Sequence, residues 1–187
     1  MSELQEFQKL VIANAQDVKG LAVGDTAPDF TLSNAVEKTV SLSECLKSGP
    51  VVLKFYRGEW CPICNLDLRA IQQQLPKIQA LGATLLAISP QNPDSALTAK
   101  EKNELEFDVL SDSRQEVIKA YSLQFDPGED YHSRRDLTLL NGDGSKFIPV
   151  PATFIIAQDF TIVGAHVEPN YTERMSPEEV IAVLEKI

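Results

Sequence analysis

Apolar residues near the start of the chain fall at Leu4, Phe7, Leu10, Val11, Ala15 and Val18, a three-and-four spacing that predicts an amphipathic helix within residues 1–20. Gly20 and Gly24 end that pattern. Residues 27–32 read as extended, because the position before a proline is driven out of the helical region. A turn near Asn34 leads to a second short strand at 39–42, and residues 43–47 predict a brief helix stopped by Gly49-Pro50.

From residue 51 the chain alternates between short apolar runs and helical spacing. Residues 51–56 and 83–89 are continuous apolar runs of strand length, and 107–110 is a shorter third one. Between and after them, helices are predicted at 61–80 (with Leu66, Leu68, Ile71, Leu75 and Ile78), at about 94–103 and at 114–121. Two further strands, 152–156 and 161–166, flank a turn at Gln158-Asp159. The last helix opens at Ser176-Pro177-Glu178-Glu179, a capping box with proline at the first helical position. Strands alternating with helices define an α/β domain whose sheet is covered on both faces. Residues 124–150 show no regular period and read as a long irregular loop or insertion. With no repeat and no dividing linker, residues 1–187 are expected to form a single domain.

Charge and composition narrow the functional classes. A net charge of −10 with scattered basic residues argues against nucleic acid and anionic membranes as partners. The first residues lack the basic and apolar regions of a secretion signal, and no apolar run reaches membrane-spanning length, so a cytoplasmic setting is expected. Three cysteines do not make a disulfide scaffold.

Two of them do make a reactive pair. Cys61-Pro62-Ile63-Cys64 follows a strand and a short turn, Arg57-Gly58-Glu59-Trp60. Proline suits the first helical position, so Cys61 is placed near the N-cap and Cys64 one turn in, on the same helix face. The free amides and dipole of a helix start favour a thiolate over a thiol. A zinc site would need four ligands, and only Cys45, His132, His166 and carboxylates remain to complete one, so no metal or cofactor is expected. Cys45 reads as a small core hydrophobe. Arg57 is a candidate for lowering a thiol pKa. Glu59 and Asp67 are candidate proton shuttles, and Trp60 is expected to shield the sulfur pair.

Several separate motifs now point the same way: Gly24-Asp25-Thr26-Ala27-Pro28-Asp29-Phe30, Phe55-Tyr56, Ile88-Ser89, Leu110-Ser111-Asp112 and Pro151-Ala152-Thr153-Phe154-Ile155-Ile156. In this order they resemble the peroxiredoxin-like branch of the alkyl hydroperoxide reductase and thiol-specific antioxidant (AhpC/TSA) family. The resemblance implies a thioredoxin-like fold: a central mixed sheet flanked by helices, with an N-terminal helix and β extension. Family peroxidases carry Pro-x-x-x-Thr-x-x-Cys; aligned from Phe55-Tyr56, those positions are Arg57, Cys61 and Cys64, with Asp67 at the following acidic position. The family arginine before the late strand is replaced by Pro151. Thioredoxin-like dithiol oxidoreductases have a proline there, which implies a cis peptide against the cysteine pair.

The resemblance implies a thiol-dependent peroxidase without a cofactor. It would reduce a hydroperoxide through a sulfenate–disulfide cycle of Cys61 and Cys64, recharged by an external thiol such as thioredoxin or glutathione. The alternative is a thioredoxin-like dithiol–disulfide oxidoreductase with little peroxidase activity; a third reading is a redox-sensing binding domain. Helix position favours Cys61 as the attacking thiol, the family alignment favours Cys64, and a homodimer is left open.

Overall fold

The computed structural model describes residues 2–187. Its centre is β3 (Val51–Phe55), in which every residue is buried. It pairs in parallel with β4 (Thr84–Ser89), and β4 in parallel with β5 (Asp108–Ser111). On its other side β3 pairs antiparallel with β8 (Ala152–Ile156), which pairs antiparallel with β9 (Ile162–Val167). Antiparallel β1 (Thr31–Asn34) and β2 (Thr39–Ser41) extend the β5 edge, giving the mixed order β2-β1-β5-β4-β3-β8-β9.

Alternation along β3 decides what each face receives. Val51, Leu53 and Phe55 join one apolar core with α2 (Leu42–Leu46), α6 (Glu116–Ala120) and Phe154. Val52 and Tyr56 join the other, against α3 (Pro62–Gln73), α4 (Leu75–Ala80), α5 (Pro93–Lys102) and α9 (Pro177–Leu184). Lys54 lies between Val52 and Tyr56 in this alternation, so its ammonium is directed toward α3 and has to be paired there. Ser176 caps α9 with the capping box read from its sequence.

The single helix expected at 61–80 is two helices. At Gln74 the backbone leaves helical geometry (φ −101°, ψ 2°), because Pro76 has no N–H for a helical bond and its ring clashes with the preceding turn. The helix expected at 114–121 is shorter, because Gln115 takes a left-handed conformation (φ 57°) and its buried amide donates to Ser145 and Phe147.

Residues 124–150 are not an irregular loop. They form β6 (Gln124–Phe125), α7 (Glu129–Arg134), α8 (Leu137–Leu140) and β7 (Ile148–Pro149), with β6 and β7 antiparallel. Elements this short display no period of their own. A third apolar cluster holds them: Phe125, Tyr131, Leu137, Ile148 and Val150 pack with Val11 and Ala15 of α1 (Glu3–Ala15) and with Tyr171. Phe7 stacks on Tyr131 (5.7 Å), Arg134 pairs with Glu3 (2.8 Å), and the Asn14 amide donates to the Pro127 carbonyl (2.7 Å).

The cis peptide expected at Pro151 is absent; among the described residues every peptide bond is trans. Val150 donates to the Leu123 carbonyl (2.8 Å) and the chain runs straight into β8, an extended path that the intrinsically favoured trans bond follows.

Candidate active site

β3 ends at Phe55, and the turn 56–60 carries the chain to the N-cap of α3. Cys61 is that N-cap (φ −92°, ψ 108°) and Pro62 opens the helix, as its sequence predicts. Gly58 is required in the turn: a Cβ there would collide with the indole nitrogen of Trp60. The carboxamide of Gln91 accepts from the Glu59 amide (2.6 Å), and Asn65 donates to the Glu59 carbonyl (2.7 Å), so the turn is held at Glu59 on both its N–H and its C=O.

Both sulfurs are buried, Cys61 at 1% exposure and Cys64 fully, and both are free thiols. Helices α1 and α7 roof the site through Phe7 and Tyr131. Cys61 nevertheless faces a cavity of about 390 Å³, and Cys64 does not. Phe7, Trp60, Ile63, Tyr131 and Tyr171 form its apolar walls, and Arg57, Arg134 and Arg135 bring cationic groups to it.

Arg57 is only 5% exposed and donates through Nη2 to Cys61 Sγ at 3.3 Å. Its guanidinium lies over the Tyr171 ring at 4.0 Å, with Trp60 and Tyr131 at 5.6 and 6.0 Å. Among the described residues no carboxylate pairs with it. A buried cation without a counter-ion is costly, and the Cys61 sulfur is the group placed to supply one. The Cys61 pKa is accordingly lowered to about 5. The hydrogen bond from the Cys64 thiol contributes most, burial opposes it, and the charge and hydrogen bond of Arg57 add to the lowering. Cys64 is pushed the other way: burial first, then the hydrogen bond it gives to Cys61 and the charge on Cys61, hold it well above the usual thiol range. The pair is therefore asymmetric, with a thiolate at the helix start and a protonated donor one turn in.

The two acidic candidates face elsewhere. Glu59 pairs with Lys102 (3.7 Å), and Asp67 lies between Lys54 (3.0 Å) and Arg174 (3.5 Å). Trp60 walls the cavity, with Arg135 stacked 4.4 Å from its ring centre. Pro151 is buried at the start of β8, outside the cavity lining. Cys45 lines a separate cavity beside Asp108 and packs against the core on the opposite sheet face, so the fold does not bring it to the pair. His132 binds Asp126 (2.7 Å) and His166 belongs to β9. Among the described residues no cluster of His, Cys, Asp or Glu could hold a metal ion, and no helix is long and apolar enough to cross a membrane.

The periodicity did not reveal Lys54, Tyr131, Arg135, Tyr171 or Arg174. Lys54 did carry a signal, a lone cation inside a buried strand. Arg174 had none, being 110 residues from the sulfur it reaches.

Residues 23–165 match the model of the AhpC/TSA family. Over 103 residues, 55% of this chain, the sequence is 35% identical to a protein of Haemophilus influenzae named as a bcp peroxiredoxin, covering 66% of it. Over the same length it is 33% identical to the chloroplastic peroxiredoxin Q of Populus jackii, covering 48% of that protein. The matched segment thus spans about half to two-thirds of these relatives. The fold is similar to the crystal structure of the peroxidoxin BcpB of Mycobacterium tuberculosis (TM-score 0.72, 23% identity, 89% of this chain and 98% of that one). It is also similar to reduced Prx3 of Vibrio vulnificus in complex with hydrogen peroxide (TM-score 0.71, 21% identity, 88% and 99%).

Proposed function

The chain belongs to the AhpC/TSA family, and from that premise we propose that it is a thiol-dependent peroxidase in which Cys61 attacks and Cys64 resolves. The observation that carries this reading is the buried Arg57 guanidinium, 3.3 Å from the N-cap sulfur and without a carboxylate partner among the described residues. It stabilises a thiolate in the resting protein, and it is placed to hold the peroxide oxygen that gains charge as the O–O bond breaks.

In the first step the Cys61 thiolate attacks the terminal oxygen of the hydroperoxide. The S–O bond forms, the O–O bond breaks, and the leaving alkoxide or hydroxide takes up a proton, which this reading assigns to the Cys64 thiol hydrogen-bonded to Cys61. Cys61 is then a sulfenic acid. The Cys64 thiolate attacks the Cys61 sulfur, hydroxide departs and is protonated to water, and the Cys61–Cys64 disulfide closes. An external dithiol of the thioredoxin type, or glutathione, reduces the disulfide by exchange. Glu59 and Asp67, each bound to basic side chains, are assigned to fixing the turn and the basic groups rather than to shuttling protons. The 187 residues act as one unit in this reading, with α1 and residues 124–150 forming the roof of the cavity.

The Arg57 guanidinium beside Cys61, placed to receive a departing oxygen, favours a peroxide as the oxidant, which sets this reading above a general dithiol–disulfide oxidoreductase. Peroxide consumption with thioredoxin as reductant, set beside insulin reduction, decides between them. Peroxide turnover with slow insulin reduction supports the proposal; insulin reduction without peroxide turnover overturns it.

A further inference from the structure

Each sulfur has a guanidinium of its own within hydrogen-bonding distance. Arg57 serves Cys61, while Arg174, from the segment before α9, donates through Nη2 to Cys64 Sγ at 3.7 Å. Arg174 is 12% exposed and fixed on three sides. Its Nε faces Asp67 Oδ2 at 3.5 Å, its Nη1 donates to the Tyr171 carbonyl, and the chain beyond it is anchored by buried Met175 and the Ser176 capping box. Asp67 follows Cys64 by three residues on α3, so both project from one helix face, and Lys54 (2% exposed) holds both oxygens of the carboxylate at 3.0 Å. The result is a buried chain of contacts from Lys54 through Asp67 and Arg174 to Cys64.

On the reading that Cys61 and Cys64 form a redox pair, we propose that Arg174 is a catalytic residue that holds Cys64 as a thiolate when it attacks and when it leaves, and that Asp67 positions it. The groups facing Cys64 are Cys61 and Arg57 at the start of α3, Lys54 and Tyr56 from the β3 end, Tyr131 from α7, and Arg174. In the reduced protein burial raises the Cys64 thiol most, and the anionic Cys61 adds two further effects, the hydrogen bond it accepts and its charge. Oxidation of Cys61 to a neutral sulfenic acid removes both effects and leaves the two guanidinium groups in place. The balance at Cys64 then shifts toward thiolate at the stage that requires a nucleophile. In reduction the electron flow reverses: an external thiolate attacks Cys61 Sγ from the cavity side, the S–S bond breaks, and its electron pair goes to Cys64 Sγ beside Arg174. The second thiol of the reductant then displaces Cys61, and the reductant leaves as its own disulfide.

The test avoids peroxide, so it is separable from the peroxidase reading. Protein oxidised with diamide to the Cys61–Cys64 disulfide is mixed with dithiothreitol at pH 7, and the rate of disulfide opening is followed. Arg174→Gln is expected to open about tenfold more slowly, since a leaving thiolate less stable by one pKa unit is tenfold less populated. Arg174→Lys is expected to recover part of that loss. A second measurement holds even if the glutamine variant does not fold. In Cys61→Ser protein, Cys64 is titrated by the pH dependence of its alkylation, and a midpoint below that of Cys64 in the wild-type pair is expected. Adding Asp67→Asn is expected to raise that midpoint, whereas simple loss of a nearby negative charge would lower it. An Arg174→Gln protein that opens at the wild-type rate, or a Cys64 midpoint in Cys61→Ser that Asp67→Asn lowers or leaves unchanged, overturns the proposal. Wild type that consumes no peroxide yet shows this Arg174 dependence supports Arg174 and removes only the peroxidase reading.

Discussion

Arg57 Nη2 lies 3.3 Å from Cys61 Sγ, and the two residues are four positions apart in the chain. The contact is local, made by a turn that folds a buried arginine back over the cysteine it precedes. Burial opposes the guanidinium charge, and the neighbouring sulfurs more than offset that opposition, keeping Arg57 protonated. The same pairing keeps Cys61 ionised.

Ionisation of Cys61 sets a pH dependence with a definite sign. A thiol whose pKa is lowered to about 5 is a thiolate throughout the neutral range and loses reactivity only as pH falls through that value. Iodoacetamide modification of reduced Cys64→Ser protein, which loses the thiol hydrogen-bond donor but keeps Arg57, should still show a midpoint below the ordinary thiol value of about 8.5. Arg57→Gln should move the midpoint of the wild-type pair upward, with the loss of modification rate largest at about pH 5 to 6 and small at pH 7. A pH profile of Arg57→Gln that matches wild type would remove Arg57 from the reaction.

The two cysteines should fail differently. Cys64→Ser, still carrying the attacking sulfur, is expected to consume about one equivalent of peroxide and stop at a sulfenic acid that dimedone traps at Cys61. Cys61→Ser should consume none. The reverse pattern, with dimedone on Cys64, would reassign attack to the second sulfur.

Lys54 and Asp67 form a buried ion pair at 3.0 Å, with Lys54 2% and Asp67 11% exposed. Removing one partner strands the other charge, so Lys54→Met should lower the unfolding free energy by about 3 kcal/mol, read from urea denaturation. The double variant Lys54→Met with Asp67→Leu should recover part of the loss. Equal destabilisation by the double and single changes would show that packing, not charge, dominates at this position.

Phe7 stacks on Tyr131 and lies under Arg134 at 4.6 Å, so it closes one wall of the cavity over Cys61. Phe7→Ala should raise the KM for cumene hydroperoxide several-fold, because an apolar wall contributes through the area it covers. Hydrogen peroxide, which does not fill the cavity, should be affected less than twofold. Equal effects on both substrates would mean that α1 acts on the sulfur itself.

What the sequence by itself determined is the local part of this protein. Apolar runs marked β3 and β4, the Cys61-Pro62 step marked the start of α3, and Ser176-Pro177-Glu178-Glu179 marked the start of α9, because caps, prolines and strand periods act within a few residues. The Arg57–Cys61 contact belongs with these, four positions apart on one turn. Pro76 was equally local, and it splits the helix expected across 61–80. Tertiary structure decided the rest. Residues 124–150 contain elements too short to declare themselves, and they become ordered only where α1 supplies Val11 and Ala15 to pack against. Burial of both sulfurs follows from that roof, and Arg174 reaches Cys64 only because β8 and β9 return the chain to the β3 side of the sheet. Groups brought together across 110 residues leave no local pattern; their pairing is set by the fold and by the cost of leaving a buried charge alone.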